Sequence, residues 1–172
     1  MNKKKLNYRV TYLEMNRKPS FDWPKNLKHK LSILLAESFP AWYFLFFYKQ
    51  VGKNYYWTDW LRKSEDEIDE FVNDKNVLLY TLIKDGWPVG FYMLDYRKKD
   101  ICDLSFFGLV DEVIGIGLGK YLLQTAILTA WDSKKINKLT VNTCSLDHKS
   151  AIYLYQKYGF TPVKYKDLEK TV

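Results

Sequence analysis

Residues 106–130 read FFGLVDEVIGIGLGKYLLQTAILTA. An apolar run halts at Asp111 and Glu112. Glycines follow at alternate positions, Gly115, Gly117 and Gly119, and Lys120 leads into an apolar segment at helical spacing. That order is strand, glycine-rich turn, helix. Such a turn aims successive backbone N–H groups at a helix N-terminus, where the dipole favours an anion. Glycine suits it because a side chain blocks close approach and because positive φ is required. The expected ligand group is a phosphate or pyrophosphate. Glycine turns before helices are common and most bind nothing, so the stretch does not settle the matter alone.

Upstream, residues 76–96 (NVLLYTLIKDGWPVGFYMLDY) hold two β-rich runs flanking Asp85-Gly86, a hairpin signal. Residues 97–100 make a charged turn, and Ile101–Val110 reads as a third strand of an antiparallel meander. Downstream, a helix is expected from about Gly119 to Trp131 and a short strand over Leu139–Ser145. Asp147 or Ser145 then caps a helix carrying Ala151, Leu154, Tyr155 and Tyr158 on one face. Gly159 stops it, and Phe160–Tyr165 forms a last strand.

The N-terminal half is less regular. Alternation of Tyr8, Val10 and Tyr12 fits a first strand over Leu6–Met15. Leu27–Glu37, apolar at 27, 31, 34 and 35, has the spacing of a helix face, ended by Pro40. Ala41–Val51 (AWYFLFFYKQV) is apolar nearly all round and reads as a buried helix or a cavity wall. In GKNYYWTDWLR (52–62), Tyr55, Trp57 and Asp59 are candidate substrate-binding residues. Ser64 with Glu67 is a capping box opening a helix to about Asn73. Seven acids between Asp59 and Asp74 face two cations, a local charge of −5, which is either a solvated helix face or an acidic wall suited to an amine.

Composition sets bounds. A chain of 172 residues suits one domain spanning 1–172, and a hydrophobic fraction of 47% with 17% aromatics excludes a disordered chain. Residues 1–30 hold nine Lys/Arg against Glu14 and Asp22, which equals the whole net charge of +7. That arm either touches an acidic partner or is a solvated, partly frayed end; nucleic acid is the less expected partner. Cys102 and Cys144 make neither a disulfide framework nor a spaced metal site, so free thiols and no metal are expected. A polar N-terminus and short apolar runs suggest a cytoplasmic protein without membrane association.

The run DHKSAIYLYQKYGF (147–160) resembles the closing motif of the GNAT superfamily of acyl-CoA N-acyltransferases, with its alanine, Leu-Tyr and Gly-Phe entering a final strand. The turn at 115–119 resembles the acyl-CoA pyrophosphate loop of that family, and the two motifs stand in the family's order. YKQVGKNYYWTDWLRKSEDE (48–67) is similar to a segment of a bacterial branch of the family. The resemblance implies an α+β fold with a mixed, mostly antiparallel sheet of about six to seven strands, splayed between the strand before the loop and the strand after its helix. It implies acetyl-CoA as co-substrate, a small-molecule amine as partner, and direct attack of the amine on the thioester. By position, Phe107 and Leu109 meet the pantetheine arm, and the N–H of Leu109 or Val110 polarises the thioester carbonyl. Gly115, Ile116, Gly117, Leu118, Gly119 and Lys120 hold the pyrophosphate, and His148 touches the cofactor arm. Tyr155 matches the family's tyrosine, which protonates the departing thiolate.

Four positions depart from the pattern. Ile114 and Ile116 flank Gly115 where members often carry Arg or Gln. His148 stands in place of a frequent Asn, and Thr143 where some members place a glutamate base. No base is assigned; Asp59, Glu14, His148 and an ordered water are the candidates. Cys144, Asp147 and His148 are neighbours in sequence, but a nucleophilic triad is recognised by geometry rather than adjacency. A CoA-binding module without transferase activity is the alternative reading. A homodimer is left open.

Overall fold

The computed structural model describes residues 5–25 and 29–171. Its elements are β1 (Lys5–Met15), β2 (Leu31–Ala36), α1 (Ala41–Gly52), α2 (Glu65–Val72), β3 (Val77–Lys84), β4 (Trp87–Asp95), β5 (Ile101–Leu109), α3 (Leu118–Ser133), β6 (Lys138–Cys144), α4 (Ala151–Lys157) and β7 (Thr161–Thr171). The strands form one sheet of seven in the order β2-β3-β4-β5-β6-β1-β7. Every pairing is antiparallel except β5 with β6.

The sheet is covered on both faces. Along β4, Tyr92 and Leu94 join Leu122, Leu123 and Ile127 of α3 in one core. Phe91 and Met93 point the other way and join Phe44 and Phe47 of α1 in a second. A strand buried on both faces reads as a continuous apolar run rather than an alternation, and residues 88–94 (PVGFYML) do so. Ring contacts knit the second core: Phe47 stacks on Phe91 at 5.0 Å and Phe44 meets Phe106 at 5.1 Å. Most aromatics of α1 are thus core filler, whereas Trp42 on its outer side is 66% exposed.

The helix expected over Leu27–Glu37 is a strand. Leu31–Ala36 pairs with β3, Leu31 opposite Lys84 and Ala36 opposite Leu79; the start of the expected helix, residues 27 and 28, lies outside the described residues. Pro40 does not end a helix but precedes the first residue of α1. The last strand runs on to Thr171 and pairs with β1 along most of its length. That pairing sets acids against the basic N-terminal strand: Arg9 meets Asp167 at 2.7 Å and Lys5 meets Glu169 at 2.7 Å. From Lys5 to Met15 the arm is therefore sheet, its charge partly matched, rather than a frayed end; residues 1–4 and 26–28 lie outside the described ones. The Ser64–Glu67 capping box forms as expected, both reciprocal bonds present. Among the described residues no helix is long and apolar enough to cross a membrane.

Candidate active site

The single parallel pairing is short. β5 and β6 register only at Ile101–Lys138, Cys102–Leu139 and Asp103–Thr140. Beyond Asp103 the strands part. At that fork the β5 register against β4 also slips: Leu94 faces Leu104 and Met93 faces Phe106, which leaves Ser105 as an extra residue. The Asp103 carboxylate pins the fork, accepting from Thr140 Oγ1 of β6 and from Ser105 Oγ of β5. A bulge plus a side-chain staple thus opens a gap between two strands that neighbour each other in the sheet.

Backbone polarity in the gap follows from strand alternation. The Val110 N–H donates to Val89 O at 2.9 Å, on the β4 side. In a strand the N–H and C=O of successive residues face opposite neighbours, so those of Leu109 and Phe107 face the gap. Of the two amides expected to polarise a carbonyl there, Val110 is committed to β4 and Leu109 remains.

The glycine turn closes the gap at one end. Gly115 and Gly117 have φ of +88° and +89°, and a Cβ built on either meets nothing within 4 Å. Gly117 is the N-cap of α3 and no side chain caps that end. The first amides of the helix, Leu118 to Lys120, lack intrahelical acceptors by construction. Gly119 needs neither positive φ nor space; its added Cβ would stand 3.8 Å from Leu109 Cδ1. The turn is bare backbone on its outer side, with Ile114 and Ile116 exposed beside it.

The gap holds a cleft of about 330 Å³, lined by Leu104–Leu109, Gly115, Gly117, Gly119, Lys120, Thr143, Asp147, His148 and Tyr155 among others. Its bare amides, strand edge and lysine fit a diphosphate carried on a long polar arm. A second cavity of about 270 Å³ adjoins it, lined by Tyr8, Tyr48, Tyr56, Asp59, Trp60, Cys144 and Lys170. Tyr55, Trp57, Ser105, Phe106, Asn142 and Asp147 belong to both. The two cavities therefore meet where β5 and β6 part.

Tyr155 of α4 is 5% exposed, its ring edge-on to Phe107 and Phe160. Burial first, and the Asp147 charge second, push its phenol above the ordinary tyrosine range. It is a proton donor that does not ionise at neutral pH. His148 holds Ser150 Oγ at 2.6 Å through Nδ1, and its ring meets Tyr55 edge-on at 6.3 Å. Phe107, Leu109, the loop residues other than Ile116 and Leu118, Tyr155, His148, Tyr55 and Trp57 thus share one cleft. Asp59 lies in the second cavity instead and is paired with Lys170 at 3.0 Å. Of the seven acids between 59 and 74 it alone lines either of these two cavities; the first turn of α2 is exposed. That helix face is solvated, not an acidic wall.

Two expected caps do other work. The side chain of Ser145 accepts from the Arg9 N–H, and α4 starts after Ser150 without a side-chain cap. Asp147 turns inward. Its Oδ2 accepts from the Cys144 N–H at 2.7 Å and from Thr143 Oγ1 at 2.8 Å, and its Oδ1 from Trp57 Nε1 at 3.1 Å. Neither Asp147 nor Asn142 and Ser105 is named as a site residue by the sequence reading. An aspartate ahead of a helix reads as a cap, and only the fold reveals that Trp57 is its partner.

The acetyltransferase (GNAT) family model matches residues 36–160. No curated protein matches the chain. Among solved structures, the chain is similar to a GCN5-related N-acetyltransferase from Kribbella flavida, with 14% identity, 95% of this chain and 57% of that one covered, and a TM-score of 0.63. A GNAT family acetyltransferase from Elizabethkingia anophelis with acetyl-CoA bound shares 22% identity over 78% of each chain, at a TM-score of 0.57. An IAA acetyltransferase from Bacillus cereus shares 24% identity, covering 77% of this chain and 79% of that one, at 0.54. The chain spans 51% to 62% of the length of several longer neighbours.

Proposed function

The chain belongs to the acetyltransferase (GNAT) family, and from that premise we propose that it moves an acetyl group from acetyl-CoA to a primary amine by direct attack on the thioester. One observation carries the reading: a breached sheet whose cleft joins an uncapped glycine turn, a free strand edge and a buried phenol.

Each part has a physical role. The amides of Gly115 to Lys120 and the Lys120 ammonium hold the diphosphate. The edge of β5 at Phe107 and Leu109 takes the pantetheine arm as an added strand would be taken. The Leu109 N–H faces the thioester oxygen as charge develops there. Tyr155 protonates the sulfur as it leaves. The second cavity, with Tyr8, Tyr48, Tyr56 and Trp60, takes the body of the amine, and its walls favour an apolar one. Of α1 only Tyr48 and Val51 line these cavities, and β1, β6 and β7 supply further walls.

The test is release of free thiol from acetyl-CoA with a panel of primary amines. Acetyl-CoA binding without thiol release for any amine favours the alternative, a CoA-binding module. The exposed isoleucines at 114 and 116, in place of a polar pyrophosphate contact, are the observation that keeps that alternative in view.

A further inference from the structure

We propose that Asp147 is the catalytic base: it meets the ammonium group of the acceptor where the two cavities join and takes its proton as the nitrogen attacks the thioester. The inference rests on the transferase reading above.

Position argues first. Asp147 lines both the cleft and the second cavity, and it is the only carboxylate among the residues lining the cleft. An amine entering from the aromatic side reaches the thioester past this group. The other acid of the second cavity, Asp59, is neutralised by Lys170, which also donates to Tyr56 O.

Geometry argues next. A carboxylate has about four acceptor positions. Fixed donors meet Oδ2 twice and Oδ1 once, so the group is held rigidly, with Oδ1 the less occupied oxygen. The donor that locks Oδ1 is Trp57, itself a wall of both cavities. The Thr143 hydroxyl of β6 holds Asp147 from the neighbouring strand.

The charge balance is coherent. The titratable groups that share the cleft with Asp147 are Tyr55, Lys120 of α3, His148 and Tyr155 of α4; those of the second cavity are Tyr8 of β1, Tyr48 of α1, Tyr55, Tyr56, Asp59, Cys144 of β6 and Lys170 of β7. Burial first, and the Asp147 charge after it, hold Cys144 and Tyr155 above their ordinary values; Tyr55 is raised by burial, then Asp111, then Asp147. As the C–N bond forms and the C–S bond breaks, Asp147 gains a proton while the sulfur takes one from Tyr155. Negative charge therefore does not accumulate in the cleft. Of the two protons the ammonium nitrogen loses, one reaches water by way of Asp147 and the other restores the phenol. One proton is released for each amide and thiol formed.

A pH profile with a strongly basic alkylamine tests this. Such an amine is almost wholly protonated between about pH 7 and 9, a window above the ordinary histidine value. An enzyme that takes the ammonium onto a carboxylate shows a flat kcat/KM there. One that waits for neutral amine shows a rise of about tenfold per pH unit. The wild type is expected flat and Asp147→Asn rising, with acetyl-CoA affinity unchanged by calorimetry. In the presence of CoA, Asp147→Asn is also expected to bind the alkylamine at least about tenfold more weakly. Should Asp147→Asn lose its fold, Asp147→Ser carries the same comparison. A rising wild-type profile overturns the assignment, as does a flat profile in the folded variant. A wild type that binds acetyl-CoA but acetylates no amine overturns the transferase reading and this inference with it.

Discussion

At the scale of single residues, Tyr155 and Asp147 divide the proton traffic between them. A phenol in bulk water is a weak acid, and this one is made weaker by burial and by the neighbouring carboxylate. The raised value has a definite consequence. The protonated form is the one favoured below the native pKa, so the donor survives to a pH above the ordinary tyrosine value of about 10. Tyr155→Phe is expected to lower kcat about 100-fold, within the usual span for general acid catalysis, while acetyl-CoA affinity holds. Single-turnover thiol release beside a binding isotherm checks it; equal loss in both assigns Tyr155 to packing against Phe107 and Phe160 instead. Legibility differs between the two residues for a physical reason. Tyr155 sits inside a local motif, so the sequence exposes it. The role of Asp147 depends on Trp57, 90 residues away in the chain, and no local pattern encodes that partner.

At the scale of elements, the gap depends on how closely α1 approaches β5. A Cβ on Gly108 would stand 2.2 Å from Val51 Cγ1. Gly108→Ala should therefore destabilise the fold by about 1–3 kcal/mol, as overpacking does. Val51→Ala removes the clashing methyl, so the double variant should be more stable than the sum of the single changes predicts. Denaturant midpoints of the three variants measure the coupling, and strict additivity contradicts the contact. The glycine turn behaves differently. Gly117 has open space but positive φ. Gly117→Glu adds backbone strain of about 1–2 kcal/mol and sets a carboxylate against the diphosphate. The expected outcome is a folded protein that does not bind CoA; unchanged affinity makes the turn purely structural. These elements were readable because glycine, hairpin and capping signals are local. β2 was not. LSILLA carries leucines at 31, 34 and 35 that match a helical face as well as a strand. Short apolar runs do not separate the two. What decides is the free edge of β3, which offers Leu31–Ala36 a hydrogen-bonding partner. The parting of β5 and β6 was expected from the family likeness alone, since the staple at Asp103 joins side chains of two strands.

At the scale of the whole molecule, the buried tyrosines make stability depend on alkaline pH. Burial raises Tyr48 to about 12 and pushes Tyr92, Tyr96 and Tyr155 higher still. In the unfolded chain each returns to about 10. A raised native value means that the folded state holds the proton more tightly. Its stabilising contribution is complete below the unfolded value and is lost as pH rises toward the native one. For Tyr92 and Tyr155, at 0% and 5% exposure, the slope is about 1.4 kcal/mol per pH unit each, or about 3 kcal/mol together. That is a large share of the about 5–15 kcal/mol that holds a domain folded. Cys102, fully buried and also raised, adds its own loss from about pH 9 upward. Urea midpoints followed by tryptophan fluorescence should stay level from about pH 7 to 9 and fall steeply above about 10. Tyr92→Phe forfeits the hydroxyl contact with Thr129, 3.1 Å long, and is therefore less stable at neutral pH by about 1 kcal/mol. It lacks the ionisable group, however, so its curve should fall less steeply and draw level with the wild type in strong alkali. Parallel curves would mean that the Tyr92 phenol already reaches solvent in the native state, and that the core between β4 and α3 is open to water.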